Sequence, residues 1–161
     1  MASKAPIVKL PAWLSIIPQI LFISLLFFLG RLIDEEQGTI YGLVVYFIIF
    51  FFLRNLIPKD HRKGMKQVKK GNFAEAIPHF ENSYDFFTRN EWIDKYRVIT
   101  MLSSGKMSYR EMALNNIAYC YSQIGNGQQA KAYYERTLQE FPGSVLAESG
   151  LRMLESVEEK E

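Results

Sequence analysis

Few side chains in this 161-residue chain have the type and spacing needed for covalent chemistry. Ser104-Gly105-Lys106-Met107-Ser108 has the outline of a phosphate loop, where glycine amides cradle phosphate and a lysine reaches it. That motif requires a glycine five residues before Gly105 and a hydroxyl residue directly after the lysine; Thr100 and Met107 stand there instead. Cys120, the one cysteine, lies between Tyr119 and Tyr121 on a predicted helix with no second thiol, which fits an inert buried thiol better than a nucleophile. His79 and Glu75 share a helical face at four-residue spacing, but one His–carboxylate pair is more readily a surface contact than a metal site, and His61 is isolated. Carboxylate pairs such as Glu158-Glu159 fall in a solvated tail, where no apolar pocket would raise a pKa. The inventory predicts no catalytic residue, no metal site, no cofactor and no enzyme.

The charged residues are better suited to binding. Lys59, Arg62, Lys63, Lys66, Lys69 and Lys70 crowd into twelve residues. Such a run sets membrane topology, and it also suits anionic lipid headgroups, worth ~1 kcal/mol for each cation held near the surface. A net charge of +2 makes no case for nucleic acid.

Those cations follow two uncharged apolar segments. Trp13–Leu29 is broken only by Ser15, Gln19 and Ser24, and Thr39–Leu53 continues past Arg54 through Leu56-Ile57. About 20 residues of helix cross a hydrocarbon core of roughly 30 Å. The second segment holds thirteen Leu, Ile, Val or Phe between Thr39 and Ile57. At ~0.3–0.6 kcal/mol each they favour insertion by roughly 4 to 8 kcal/mol. Lys4 and Lys9 could start a cleaved signal, but an uncleaved hairpin is expected, because Phe28-Leu29-Gly30-Arg31 lacks a small-x-small cleavage pattern and a second apolar segment begins within ten residues. The turn carries Arg31 against Asp34, Glu35 and Glu36, while basic residues flank the other ends, so both termini are expected in the cytoplasm. A bacterial plasma membrane is the candidate location. Pro18 and Gln19 offer a kink and an interhelical hydrogen bond within the first span. Gly38 and Gly42 have small-xxx-small spacing but are expected to serve the turn and the helix start.

The remaining 104 residues contain an internal repeat. A shift of 54 residues lays Gly64, Gly71, Asn72, Ala76, Phe80 and Ser83 on Ala118, Gly125, Asn126, Ala130, Tyr134 and Thr137. Small residues let helices approach closely, aromatics fill the gap within a helix pair, and Gly71 and Gly125 each end one helix before the next. Asn72 with Glu75 and Ser108 with Glu111 have capping-box spacing, and Pro78 should bend the helix that follows Asn72. With Leu114, Ile117, Tyr121, Leu138 and Pro142, these positions resemble the tetratricopeptide repeat, a 34-residue helix-turn-helix unit. The chain departs from that pattern at Gln67 and Gly127, where aromatics are usual, and the first unit lacks the closing proline. The resemblance covers roughly residues 58–90 and 111–144 and implies an all-α array that binds peptides or protein surfaces.

Between the units, Trp92, Tyr96, Ile99 and Leu102 recur as one helical face, predicting an extra helix or an extension of the one from Phe73. A last helix from Ser144 should turn Leu146, Leu151 and Leu154 inward and Glu155, Glu158, Glu159 and Glu161 outward, as an end cap. On the helix from Tyr109 to Ile124, Leu114, Ile117, Ala118, Tyr121 and Ile124 are expected to face the core. Met112, Asn115, Asn116, Tyr119, Ser122 and Gln123 occupy the opposite face, which in the resembling family lines a concave peptide groove. Adjacent asparagines disfavour helix, so groove function would account for them. The family's five-residue clamp for a partner's C-terminal carboxylate is not expected: Asn116 matches, but His61, Met65, Leu146 and Gly150 stand at the other places.

The predicted order is a tail (1–10), a hairpin (11–57, helices about 12–33 and 39–57), unit 1 (58–90), an insertion (91–108), unit 2 (109–143) and a capping helix with acidic tail (144–161). A membrane-tethered adaptor or scaffold is the leading reading; an accessory or assembly subunit that binds through its hairpin is the alternative. Membrane lipid and a protein or peptide partner are expected, and a second copy of the chain is left open.

Overall fold

A computed structural model describes residues 16–101, 103 and 105–158. All regular elements among them are α-helices: α1 (Ile16–Ile33), α2 (Gly38–Leu56), α3 (Lys59–Lys70), α4 (Phe73–Arg89), α5 (Glu91–Lys95), α6 (Arg97–Thr100), α7 (Tyr109–Gln123), α8 (Gly127–Glu140) and α9 (Val145–Glu158). They form two compact units, one of residues 1–57 and 95–107, the other of residues 58–94 and 108–161. Trp13 and Ser15 in the first span, Leu102, Glu159 and Glu161 lie outside the described residues.

In the first unit α1 and α2 form an antiparallel hairpin. Both are long and apolar enough to cross a membrane, and only 6% of each span is buried, unlike the core helix of a soluble protein. The Asp34 carboxylate closes the turn by accepting from the Glu36 and Gln37 amides at 2.9 and 2.8 Å. The glycines do more than make this turn. A Cβ on Gly42 would lie 2.6 Å from the Leu26 carbonyl oxygen, and one on Gly30 or Gly38 would collide with the other glycine's backbone. The expectation for Gly38 and Gly42 is therefore corrected: they are where the two helices touch. With no side chain between them, the backbones pack directly, an approach that small residues permit.

In the second unit α3 packs on α4, α4 on α7, α7 on α8 and α8 on α9. The residues paired by the 54-residue shift occupy matching environments. Gly64 and Ala118, Ala76 and Ala130, Phe80 and Tyr134, and Ser83 and Thr137 are all buried. Gly71 and Gly125 have φ of 81° and 78°, a left-handed conformation that ends α3 and α7 with little cost only for glycine. A Cβ on Gly64 would meet the Phe80 ring at 2.8 Å, and one on Gly150 would strike the Tyr134 ring. Phe80 and Tyr134 thus each seat an aromatic ring on a glycine, Gly64 and Gly150.

Several local expectations change. Ser108 caps α7 by accepting from the Glu111 amide at 3.1 Å, and Asn126 caps α8 through Gln129 in the same way. Asn72 makes no such cap; its amide nitrogen donates to Gln67 and Glu75 side chains. The insertion is not one helix. It breaks at Tyr96 into α5 and α6, the latter reading Arg-Val-Ile-Thr, where two β-branched neighbours and a threonine weaken helix. Helix α4 runs unbroken through Pro78. Ile124, expected in the core, is 45% exposed because it falls at the C-cap. On α9 it is Ala147 that is fully buried, with Leu151 and Leu154 packed on its cluster and Leu146 half-buried.

Candidate functional site

No group of three or more His, Cys, Asp or Glu that could hold a metal ion is found among the described residues, and the exposed surfaces are the leading candidate sites. The first is α3. Lys59, Arg62, Lys63, Lys66, Lys69 and Lys70 are all exposed, at spacings of three and four that put them on one face of this single helix. The opposite face buries His61 and Gly64 and half-buries Met65 and Val68. The sequence reading found the cations as a run and missed their arrangement as a stripe; helical periodicity from Lys59 would have revealed it. Among the described residues, only Lys63 of these six forms an ion pair, with Asp60 at 3.4 Å.

The apolar side of the same helix holds an unusual buried base. The His61 ring sits edge-on to Phe80 and Tyr109, at 5.3 and 5.2 Å between centroids, and Nδ1 lies 3.4 Å from the Ser83 hydroxyl. Burial among aromatics pushes its pKa down to about 4, so it is neutral at physiological pH. Cys120 is equally enclosed, and burial pushes its thiol up to about 12, which removes thiolate chemistry.

The second surface is on α7, which α4 and α8 flank. The predicted groove residues divide. Asn115 is 5% exposed, and its amide nitrogen donates to the Glu111 carbonyl (3.0 Å) and the Ser144 hydroxyl (3.2 Å), tying α7 to the start of α9. It is therefore spent inside the fold. Met112, Asn116, Tyr119 and Ser122 are half-buried and Gln123 is exposed. Asn116 donates to the Met65 sulfur at 3.7 Å, and the Tyr119 ring meets Phe73 edge-on at 5.8 Å. Asn116 thus joins the first helices of the two helix pairs, α3 and α7, with Tyr119 one turn further along. Ser122 is a local brace, donating to the Tyr119 carbonyl at 2.7 Å.

Two polar clusters went unnoticed in the sequence because their members are far apart in the chain. Asp94, 3% exposed, accepts from the Tyr109 and Arg110 amides at 2.8 and 3.1 Å, so it satisfies the first donors of α7. Glu140 accepts from the Tyr84 hydroxyl (2.7 Å), Arg110 (3.0 Å) and Arg136 (3.1 Å), joining α4, α7 and α8. Burial pushes the Glu140 carboxyl up, but the Tyr84 hydroxyl and the two guanidinium groups outweigh it and hold it below the ordinary value. Neither cluster has the geometry of a general acid–base pair; each fastens helices together.

The chain matches no protein-family model, no curated protein and no solved structure. The functional reading therefore rests on these surfaces alone.

Proposed function

We propose that the chain is a membrane-tethered adaptor: a two-span hairpin with both termini in the cytoplasm, followed by a tetratricopeptide-like domain that holds a protein or peptide partner. The repeat reading is supported by the matched environments at a 54-residue shift, above all Gly71 with Gly125 and Phe80 with Tyr134. The binding reading is carried by one observation. Asn116 and Tyr119 stay partly open on the side where α7 meets α3, although amide and aromatic residues there are poor choices for helix stability. An amide that donates and accepts can pair with a peptide backbone, and Met112 and Tyr119 add apolar area beside it. The role is binding rather than catalysis. The cations of α3 begin two residues after Ile57, at the cytoplasmic end of the second span, and are suited to anionic headgroups.

A second reading, an accessory or assembly subunit, draws on the hairpin. Many of its large side chains, Leu21, Phe28, Phe47 and Phe51 among them, are exposed, so a neighbouring membrane protein could cover them as well as lipid. The experiment is crosslinking in native membranes with quantitative mass spectrometry on three full-length forms: the native chain, Asn116→Ala with Tyr119→Ala, and a chain whose residues 16–56 are replaced by an unrelated spanning hairpin. The adaptor reading expects the double variant to lose capture about tenfold, or ~1.4 kcal/mol, at unchanged helicity. Loss in the hairpin replacement alone selects the subunit reading.

A further inference from the structure

The segment 95–107 groups with the hairpin, and the backbone of α6 comes within 8 Å of α1. This segment has two dissimilar sides. Met101 is buried, and Arg97 ties the loop together by donating from Nε to the Gly105 carbonyl at 3.0 Å and from a terminal nitrogen to the Lys106 carbonyl. The Ser103 amide donates back to the Arg97 carbonyl at 3.1 Å. The other side presents Tyr96 and Ile99, 53% and 63% exposed. A loop this firmly tied, yet turning a tyrosine and an isoleucine outward, has an apolar face that its own unit leaves open.

Charge narrows what can cover it. Residues 95–107 contain Lys95, Arg97 and Lys106 and no acidic residue. The Lys95 ammonium lies 5.6 Å from the centre of the Tyr96 ring. A tyrosine and an aliphatic side chain beside exposed lysines have the composition of a segment lying in the interfacial layer of a bilayer. The position agrees, since the segment adjoins α1, whose own exposed Ile17, Ile20 and Leu21 call for hydrocarbon. We infer that Tyr96 and Ile99 enter the headgroup–acyl boundary of the bilayer that holds α1 and α2, with Lys95 and Lys106 against anionic headgroups. This rests on the hairpin spanning that bilayer. The segment then acts as a further membrane contact beside the two spans.

The test uses the full chain in phosphatidylcholine vesicles containing roughly 30% phosphatidylglycerol. A fluorophore is attached to single cysteines at Ile99, Tyr96, Phe47 or Gln139, and quenching by nitroxide lipids is measured against quenching by aqueous iodide. Native Cys120 is buried with its thiol pushed up to about 12 and stays unlabelled. Labels at Ile99 and Tyr96 should be quenched by a shallow nitroxide roughly twofold or more above Gln139, and shielded from iodide to match. Phe47 should respond to a deep nitroxide. If Phe47 responds while both Ile99 and Tyr96 behave like Gln139, the interfacial contact is overturned and the span stands. If Phe47 also fails to respond, the span is overturned and this contact with it.

Discussion

Helices α2 and α4 are of similar length, 19 and 17 residues, and each carries four phenylalanines, yet they use them in opposite ways. In α4, Phe80 and Phe87 are buried while charged and amide residues fill the outer face. In α2, Phe47, Phe51 and Phe52 are exposed, and the residues set directly against the backbone of the neighbouring helix are Gly38 and Gly42. Water makes the difference intelligible. Where water surrounds a helix, its large apolar groups must turn inward, and each one buried contributes about 1.5–3 kcal/mol. Where hydrocarbon surrounds it, large groups gain nothing by turning inward, and close backbone packing decides which residues meet.

The strongest break of this comparison is one substitution made in both regions. Phe80→Ala empties a site that Gly64 shapes, and should cost ~3–5 kcal/mol in urea unfolding of the full chain in micelles. Phe51→Ala, at a position 66% exposed, should change the same unfolding curve by less than about 0.5 kcal/mol. Equal losses would mean that α2 is a core helix after all.

Next comes pH. The His61 pKa falls from 6.5 unfolded to about 4 folded, so the unfolded chain takes up the proton first. The stability that neutral His61 contributes is complete above pH 6.5 and is lost as pH falls from there towards 4. The loss should be on the order of 3 kcal/mol, read as a falling urea midpoint. His61→Gln should flatten that profile between the same limits, while the hairpin, which has no histidine, should show no such dependence.

Gly42→Leu puts a side chain against the Leu26 backbone and should weaken the hairpin by ~1–3 kcal/mol. The Phe22 and Tyr46 rings face each other at 6.2 Å, so a disulfide between cysteines at those positions reports the pairing, and its yield should fall in the glycine variant. The smallest effects sharpen the repeat. Gly71→Ala and Gly125→Ala add no clash but strain a left-handed residue, and each should cost about 1 kcal/mol. Clearly unequal costs would argue against the equivalence of the two units.

Much of this architecture was legible in the chain. The two long apolar helices, the glycine turns and the buried small and aromatic positions depend on local periodicity, which one sequence displays. Asn115 shows where that legibility ends. From α7 alone it looks outward, but Ser144 arrives from the far end of the chain and encloses it. Ile124 fails for a related reason, since a helix stripe loses its direction at the cap. Tyr84, Arg110, Arg136 and Glu140 are ordinary charged or polar positions until α4, α7 and α8 converge. Tyr96 and Ile99 read as one face of a single helix, but the helix breaks at Tyr96 and both stay exposed, because periodicity alone does not report where β-branched residues interrupt a helix.

The account turns on the hairpin crossing a membrane twice, and cysteine accessibility tests that most directly. Cysteines replace Gln37, in the turn between α1 and α2, or Ser156, near the end of α9. An impermeant maleimide is added outside intact cells expressing each full-length variant. The account expects labelling at Gln37 and none at Ser156 until the cells are lysed. Labelling at Ser156 with protection at Gln37 would contradict it, reversing the topology and removing the cytoplasmic adaptor with it.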